Sequence, residues 1–515
     1  MGWLPRFLRP RDTISSEDVE RGMRHLLYDG ACSQVMGTFT GGAFLVAFAL
    51  LLGASNFVIG VLAAAGPLSQ VLQVPAIVLV DRTGLRKLLV VVHSWLSRLF
   101  LLSVAIVPWW IPESYRVLAL FSGLLLYFTL GTVSGCAFNS WMRDFVPEEI
   151  QGRYFGKRLA FATAASAGLT LIAILAVVIA DWAEMSKKGL YSTLFAVGAS
   201  AGLLGVTYLM RIPEPRMPRH EPRGLGAVLR EPLEEPNFRQ LLRFLGWWNF
   251  AINLAAPFFA VYMLERLELA MPVVLLLSVA SQVVNALFFR IWGTLADRFS
   301  NKAVLGVSGL LFVITIAMWP FLTLPDPHAF TIPLLVLIHV MAGISTAGVN
   351  LCASTITLKI APKGRATAYL AMNALVNGVA ATLAPILAGL MADALVDQQL
   401  TINLRWMARS DGSMLLDLPA LDLVGLDFVF LLSALLGLYA MHRLLAVREE
   451  GEVRRIAVLG ELQGEVRRAL RHVSNVAGLR NLYSFPFARL EELIRRRAKP
   501  DKPDDEETPR RRGPV

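Results

Sequence analysis

The sequence predicts an all-α integral membrane protein of twelve transmembrane helices in two six-helix halves, followed by an amphipathic helix on the cytoplasmic side. Three observations carry that prediction. The 515-residue chain is 55% hydrophobic and only 17% charged, with a mean hydropathy of +0.55, whereas about a quarter of an ordinary soluble chain is charged. Apolar runs of about twenty residues recur, long enough to cross a hydrocarbon core of about 30 Å; buried helices of a soluble protein would show runs of about 10–14. A charged loop also appears twice at a nearly constant offset, which divides the chain into matched halves.

Reading apolar runs against charged and Pro/Gly-rich breaks places the spans in order. In the first half they fall at about 24–52, 55–80, 88–110, 116–143, 153–181 and 189–211. In the second half they fall at about 241–264, 271–294, 303–324, 331–357, 366–396 and 424–444. Residues 1–23 form a polar, basic cytoplasmic segment without the apolar core of a cleaved signal peptide. Between the halves, about 212–240, the prolines of "IPEPRMPRHEPRG" and "REPLEEPNFRQ" forbid one continuous helix. That stretch reads as a linker with room for one short surface helix. After the last span, residues 445–498 hold an Arg-rich stretch in which Val453, Ile456, Leu459, Val466, Leu470 and Val473 recur at helical spacing. Such a helix suits an anionic leaflet surface. Residues 499–515, "KPDKPDDEETPRRRGPV" from Lys499, have a disordered composition.

Cations set the orientation. Arg21, Arg24, Arg82, Arg86, Lys87, Arg153, Lys157, Arg158, the linker arginines, Arg298, Lys302, Lys363, Arg365 and the basic tail share one side. The other side holds Arg116, Lys187, Lys188, Arg266, Arg405 and Arg409. Positive charge resists translocation, so both termini and the linker are expected in the cytoplasm. The implied location is a bacterial inner (plasma) membrane. On this account the net charge of +10 reports membrane orientation, and no nucleic-acid partner is expected.

The repeated loop is "DRTGLRK", Asp81 to Lys87, and "GTLADRFSNK", Gly293 to Lys302. The two Asp-Arg pairs lie 216 residues apart (297 − 81), each after the second helix of its half. A second echo follows the fourth helix: "PEEIQGRYFGKR" and "APKGRATAY" carry Gly152-Arg153 and Gly364-Arg365, 212 residues apart (365 − 153). Two motifs in near register argue for duplication of a six-helix unit, an architecture common among secondary transporters.

These loops resemble those of the major facilitator superfamily, whose motif reads Gly-x-x-x-Asp-Arg/Lys-x-Gly-Arg-Arg/Lys between helices 2 and 3, with a degenerate copy between helices 8 and 9. In the first half Asp81, Arg82, Gly84 and Arg86 match and Lys87 follows, while Ile77 replaces the leading Gly and Leu85 an Arg. In the second half Gly293, Asp297, Arg298 and Lys302 match, with Ser300 and Asn301 as departures. "PEEIQGRYFGKR", including Gly152, Arg153 and Arg158, resembles the family's loop after helix 4. The resemblance covers about Arg21 to Arg443. It implies two rocking halves, a central cavity lined by helices 1, 4, 7 and 10, and conformation-dependent ion pairs at these loops. A turn-capping and headgroup-anchoring role for the Asp-Arg pairs stands as the alternative.

Ionisable groups at membrane depth cost about 2.5–3.5 kcal/mol each on insertion scales, so each needs a reason. Asp29 on helix 1 and Arg98 on helix 3 are two, separated axially by about 9 Å at 1.5 Å per residue. They read either as a coupling-proton site and an anion partner, or as an internal ion pair. His339, central in helix 10, is a third candidate for proton coupling, against a hydrogen-bonded structural role; His93 lies nearer the headgroups. Gln34, Thr38, Asn139, Trp247, Trp248, Asn249, Asn253, Asn350, Asn373 and Asn377 are candidates for a substrate cavity. Membrane amides also join helices to one another, but the aromatic-amide run "GWWNFAIN" suits an amphipathic organic ligand.

No phosphate-binding loop, metal-ligand spacing, nucleophile elbow or catalytic dyad occurs, so neither enzyme chemistry, a cofactor nor a metal is expected. Cys32, Cys136 and Cys352 lie on different apolar segments and read as small hydrophobes. The function expected is therefore gradient-driven transport of a small organic, amphipathic solute by alternating access, as proton-coupled export by a monomer in the lipid bilayer. Proton-coupled import, lipid or lysolipid translocation, and a non-transporting membrane scaffold are the alternatives.

Overall fold

The computed structural model describes residues 8–217, 225–323, 326–360, 366–407 and 414–449. The expected tail helix and the segment 499–515 lie outside the described residues, as do Gly364 and Arg365.

Serine hydroxyls start several spans. Ser15 accepts from the Asp18 N–H and begins α1 (Ser16–Thr40), with Glu17 and Asp18 in the first turn where helix N-terminal charge favours anions. This starts the first helix at Ser16 rather than near residue 24, because its polar first turns are capped rather than frayed. Gly41 ends α1, and α2 (Gly42–Leu51) completes the first span. The second span is α3 (Asn56–Ser69) and α4 (Gln73–Thr83), joined by a short 3₁₀ turn next to Pro67. Gly84, at φ +60°, turns the chain into α5 (Arg86–Val104), a left-handed conformation that suits glycine. This gives the glycine of the first charged loop its physical reason.

After the short α6 (Val107–Trp110) come α7 (Glu113–Phe145), α8 (Glu148–Trp182) and α9 (Lys187–Leu209). The linker contains α10 (Leu225–Glu234). The second half holds α11 (Pro236–Ala255) with α12 (Phe258–Val261), α13 (Met271–Arg298), α14 (Asn301–Ala317), α15 (Thr331–Ile360), α16 (Ala366–Ala394) and α17 (Leu426–Leu444). Among the described residues ten helices are long and apolar enough to cross a membrane, and Asn56–Leu72 and Asn301–Ala317 are shorter apolar helices that complete twelve spans.

Between α16 and α17, a segment left unassigned from sequence, β1 (Gln399–Met407) and β2 (Met414–Val424) pair antiparallel, with Leu400 opposite Leu423 and Ile402 opposite Leu421. Leu400, Ile402 and Leu404 alternate with Thr401, Asn403 and Arg405, the period-two signature of a strand.

The packing is two-fold. α1 packs on α9 as α11 packs on α17; α5 on α7 as α14 on α15; α5 on α9 as α14 on α17; α3 on α7 as α13 on α15; α1 on α8 as α11 on α16. The same operation relates two contacts between the halves, α3 with α16 and α8 with α13, and α2 also meets α12. Lipid-sized apolar side chains cover the outside, among them Leu175 and Ile179 on α8 and Leu383 and Leu387 on α16. Trp110, Trp182 and Phe330 stand exposed near helix ends, where aromatic rings favour the membrane interface.

We call the end bearing the 210–224 connection the linker end and the opposite one the far end. At the far end α3 and α16 are pressed together. The N–H groups of Asn56 and Phe57 donate to the Asp393 carboxylate at 3.2 and 2.9 Å. A Cβ on Gly60 would collide with the Pro385 carbonyl oxygen, and one on Gly389 would stand 2.5 Å from the Asn56 carbonyl oxygen. Past the Pro67 break, α4 packs on α7 instead. The α3–α16 contact thus closes the far end, and toward the linker end α4 leaves α16 for α7.

Candidate functional site

A cavity of about 840 Å³ lies between the halves. Its wall uses the N-terminal part of α5 (Val90, Ser94) and the C-terminal parts of α7 (Cys136, Asn139) and α9 (Leu209), so it extends toward the linker end. Asp29, Ser33 and Met36 on α1 face it at helical spacing, and α3 adds Ser69, Gln70 and Gln73. Tyr127, Phe128 and Phe138 supply aromatic surface, and the second half contributes Asn249 from α11 and Asn377 from α16.

Asp29 and Arg98 meet on this wall, Nη2 to Oδ1 at 3.9 Å, and both side chains are nearly buried. Two glycines of α9 make the room: a Cβ on Gly205 would stand 3.0 Å from Asp29 Oδ1, and one on Gly202 3.3 Å from Arg98 Nε. The axial offset read from sequence is therefore spanned by the long Arg side chain. Around the pair, polar groups are tied to one another: Ser69 to Thr132 at 2.8 Å and Ser94 to Ser134 at 2.7 Å. Across the cavity Asn249 Nδ2 donates to Asn377 Oδ1, and Asn377 Nδ2 to Asn373 Oδ1, each at 2.9 Å. The wall thus offers hydroxyls and amides beside aromatic rings, with one ion pair.

Several sequence candidates stand outside this wall. Gln34 and Thr38 lie off the 29–33–36 face of α1, and the Thr38 hydroxyl is 3.5 Å from Ser166. Trp248 is buried against Phe244 and Phe312, and Trp247 meets Tyr439 edge-on. Asn253 donates to the Asn249 carbonyl, and Asn373 supports Asn377 from behind. His339 is buried, its Nδ1 2.8 Å from the Leu335 carbonyl and its ring beside Trp319. His93 contacts the Leu89 carbonyl in the same way. Asn350 is exposed on α15, a helix expected to line the cavity that contributes no residue to this wall; α13 and α14 pack over it. Spans two, three and eleven contribute in its place. Ser94 with Ser97 and Gln70 with Gln73, polar pairs one helical turn apart in apolar runs, were the signals for those faces.

The charged loops are organised by two carboxylates that the sequence left in the linker and tail. Arg86, fully buried, donates to the Asp144 carboxylate, to the Ser140 carbonyl at 3.0 Å and to the Pro215 carbonyl at 2.7 Å. Its backbone N–H donates to Glu214 Oε1 at 2.8 Å, and its Nε lies 3.5 Å from the same atom. Burial pushes the Glu214 carboxyl above the ordinary carboxylate range, while the Lys87 N–H and the Arg86 guanidinium pull it back. In the second half Glu449 accepts from the N–H groups of Asn301 at 3.2 Å and Lys302 at 2.7 Å, and pairs with Lys359 at 3.4 Å. Each carboxylate lies five residues past the sixth helix of its half (214 − 209; 449 − 444) and caps the N-terminus of the third. Arg82, Asp297 and Arg298 are exposed. The side chains of Asp81, Gly152, Arg153 and Arg158 lie outside the described residues.

Solved structures with this fold have low sequence identity to the chain. The nucleoside transporter NupG aligns with TM-score 0.60 and 15% identity over 83% of this chain and 98% of its own. An inward-facing, unoccupied bacterial homologue of the human lysosomal transporter Spinster aligns with TM-score 0.64 and 14% identity, over 84% and 98%. The inward-open xylose transporter XylE from E. coli aligns with TM-score 0.54 and 15% identity, over 86% and 99%. Among curated proteins no sequence match is significant. The model of the Major Facilitator Superfamily matches residues 240–489, the half holding the fuller copy of the charged loop. Residues 240–489 thus resemble the Major Facilitator Superfamily, and the whole chain shares the fold of these solved transporters. The paired six-helix bundles and the cavity between them are the fold of these transporters, and the chain is an integral, multi-pass membrane protein.

Proposed function

We propose that this chain is a secondary active transporter of the major facilitator type that exports a small amphipathic organic solute by alternating access, in exchange for protons. The observation that carries the reading is the cavity between two symmetry-related halves, closed at one end, with the Asp29–Arg98 pair on its wall. The excess of positive charge supports a cytoplasmic linker end, on which reading the cavity loads from that side. Aromatic rings beside hydroxyls and amides suit a solute with one flat apolar face and several hydrogen-bonding groups. A proton and the Arg98 guanidinium are alternative partners for the Asp29 carboxylate. Exchanging one for the other changes the charge of the wall and biases the equilibrium between the two arrangements.

Proteoliposomes with an imposed pH gradient and a panel of amphipathic solutes test this. Asp29→Asn is expected to reduce gradient-driven net flux at least tenfold while solute counterflow persists. Net flux unchanged by the substitution removes the proton role, flux in the opposite direction favours import, and no flux of any compound favours a scaffold.

The charged loops are assigned to conformational control. Within each half the buried carboxylates lock helix ends together, so that each half rocks as a body. Asp297 and Arg298 end α13, which packs on α8 of the first half, and are placed to engage that half when the linker end closes. Asp297→Asn is expected to increase maleimide labelling of the cavity-lining Cys136 from the linker end by several-fold. Unchanged labelling supports a plain turn-capping role.

A further inference from the structure

A second cavity, about 680 Å³, lies at the linker end on the outside of the first half, away from the solute pathway. The segment before α1 forms one side of it. Leu8 is buried against Val91 and Val206, with Trp95 and Met210 beside it. The segment is then stitched to the linker: the Arg11 N–H donates to the Glu214 carbonyl at 2.8 Å, the Arg216 N–H to the Arg11 carbonyl at 3.0 Å, and Asp12 pairs with Arg216 at 2.7 Å. The cleft behind this strap is lined by Arg9, Arg11, Arg21, Lys87 and Arg211. Asp18 is the acidic residue of the lining and lies 3.2 Å from Arg11. Cations therefore outnumber carboxylates five to one in this wall.

The cleft has an apolar side as well. Trp95 and Met210 line it, and on the same face of α5 Val92 and Leu99 are exposed, as is Leu204 on α9. This strip runs from the cationic mouth down the lipid-facing surface. Cations at a helix end above an exposed apolar strip match one amphiphile, a phosphate ester at headgroup depth with an acyl chain beneath it. Guanidinium groups bind phosphate oxygens in pairs, and basic clefts at the cytoplasmic boundary concentrate anionic headgroups.

We propose that this cleft binds an anionic glycerophospholipid, its phosphate among Arg9, Arg21 and Arg211 and its acyl chain along Trp95 and Leu99. The lipid bridges the N-terminal strap to α5 and α9, beside the Glu214–Arg86 cluster.

Native mass spectrometry of the full-length protein released from phosphatidylglycerol, phosphatidylcholine or mixed micelles tests the site. Arg21 and Arg211 are exposed, so Arg21→Gln/Arg211→Gln should leave the fold intact, as circular dichroism would show. The wild type is expected to retain phosphatidylglycerol over phosphatidylcholine, and the double variant to lose that preference at least tenfold. Trp95→Ala should weaken phosphatidylglycerol retention several-fold without changing the weak binding of soluble glycerol phosphate. Equal retention by wild type and the double variant overturns the site. Displacement by equimolar inorganic phosphate makes it a free-phosphate site and overturns the lipid assignment, and retention indifferent to Trp95→Ala overturns the placement of the chain.

Discussion

Gly60→Val is expected to part the two halves at the far end and abolish transport. The position faces the Pro385 backbone so closely that no Cβ fits between them, and Gly389 repeats the arrangement one step along, against Asn56. A carbonyl on a helix backbone cannot yield as a flexible side chain can, so α3 and α16 must separate. Overpacking of this kind costs about 1–3 kcal/mol. Acting on one of two conformations, that cost shifts their ratio by about 5- to 150-fold. The cavity-lining Cys136 provides a native reporter in a Cys32→Ser/Cys352→Ser background. Impermeant maleimide applied at the far end should label Cys136 slowly in that parent and at least fivefold faster with Gly60→Val. Equal rates would mean that the α3–α16 contact does not control access.

Arg86→Ala is expected to cost more stability than any other single charge removal at the linker end. Arg86 is fully buried and pairs with both the buried Glu214 and Asp144, a carboxylate that the exposed Arg143 also approaches at 3.4 Å. Its loss leaves carboxylate charge in a desolvated setting, and breaking a buried pair from one side costs about 3–5 kcal/mol. The thermal midpoint in detergent should fall markedly, with loss of monodisperse protein. Arg86→Lys should recover only part of it, because a point ammonium cannot reproduce the fork that reaches Asp144, Ser140 and Pro215 together. Adding Glu214→Gln to Arg86→Ala should also recover part, by removing the stranded charge. A midpoint altered by no more than the roughly 0.5 kcal/mol typical of surface substitutions would show that the cluster does not hold the helix ends.

The helix-end clusters also show what a sequence conceals. The paired loops were visible as repeats, because duplication preserves spacing along the chain. Their partners were not. Glu214 sits in a proline-rich linker and Glu449 in a charged tail, neighbourhoods that look solvated. Only after folding do "IPE" and "VRE" occupy equivalent places beneath the third helices of their halves. Charge type is not conserved between the copies either: Asp144 closes the first cluster and Lys359 the second, so a search for matching residues passes over them.

The cavity was legible in kind and poorly legible in detail. Asp29, Arg98, Asn139, Asn249 and Asn377 line it, while Thr38, Trp248 and His339 stand off its wall. One residue along a helix is a rotation of about 100°, enough to move Gln34 off the face that Ser33 occupies. Periodicity ranks faces by polarity, but on helices polar at only a few positions it does not select between neighbours.

What the sequence determined by itself is the number of spans, the six-plus-six repeat and the resemblance to the major facilitator superfamily, since each rests on hydropathy and spacing that folding does not alter. Tertiary structure alone decided which end is closed, which polar side chains face the cavity, and that Asp29 meets Arg98. Those depend on helix rotation and on glycine-permitted approach between α1, α5 and α9 and between α3 and α16. Such contacts arise between residues far apart in the chain, where no local pattern records them.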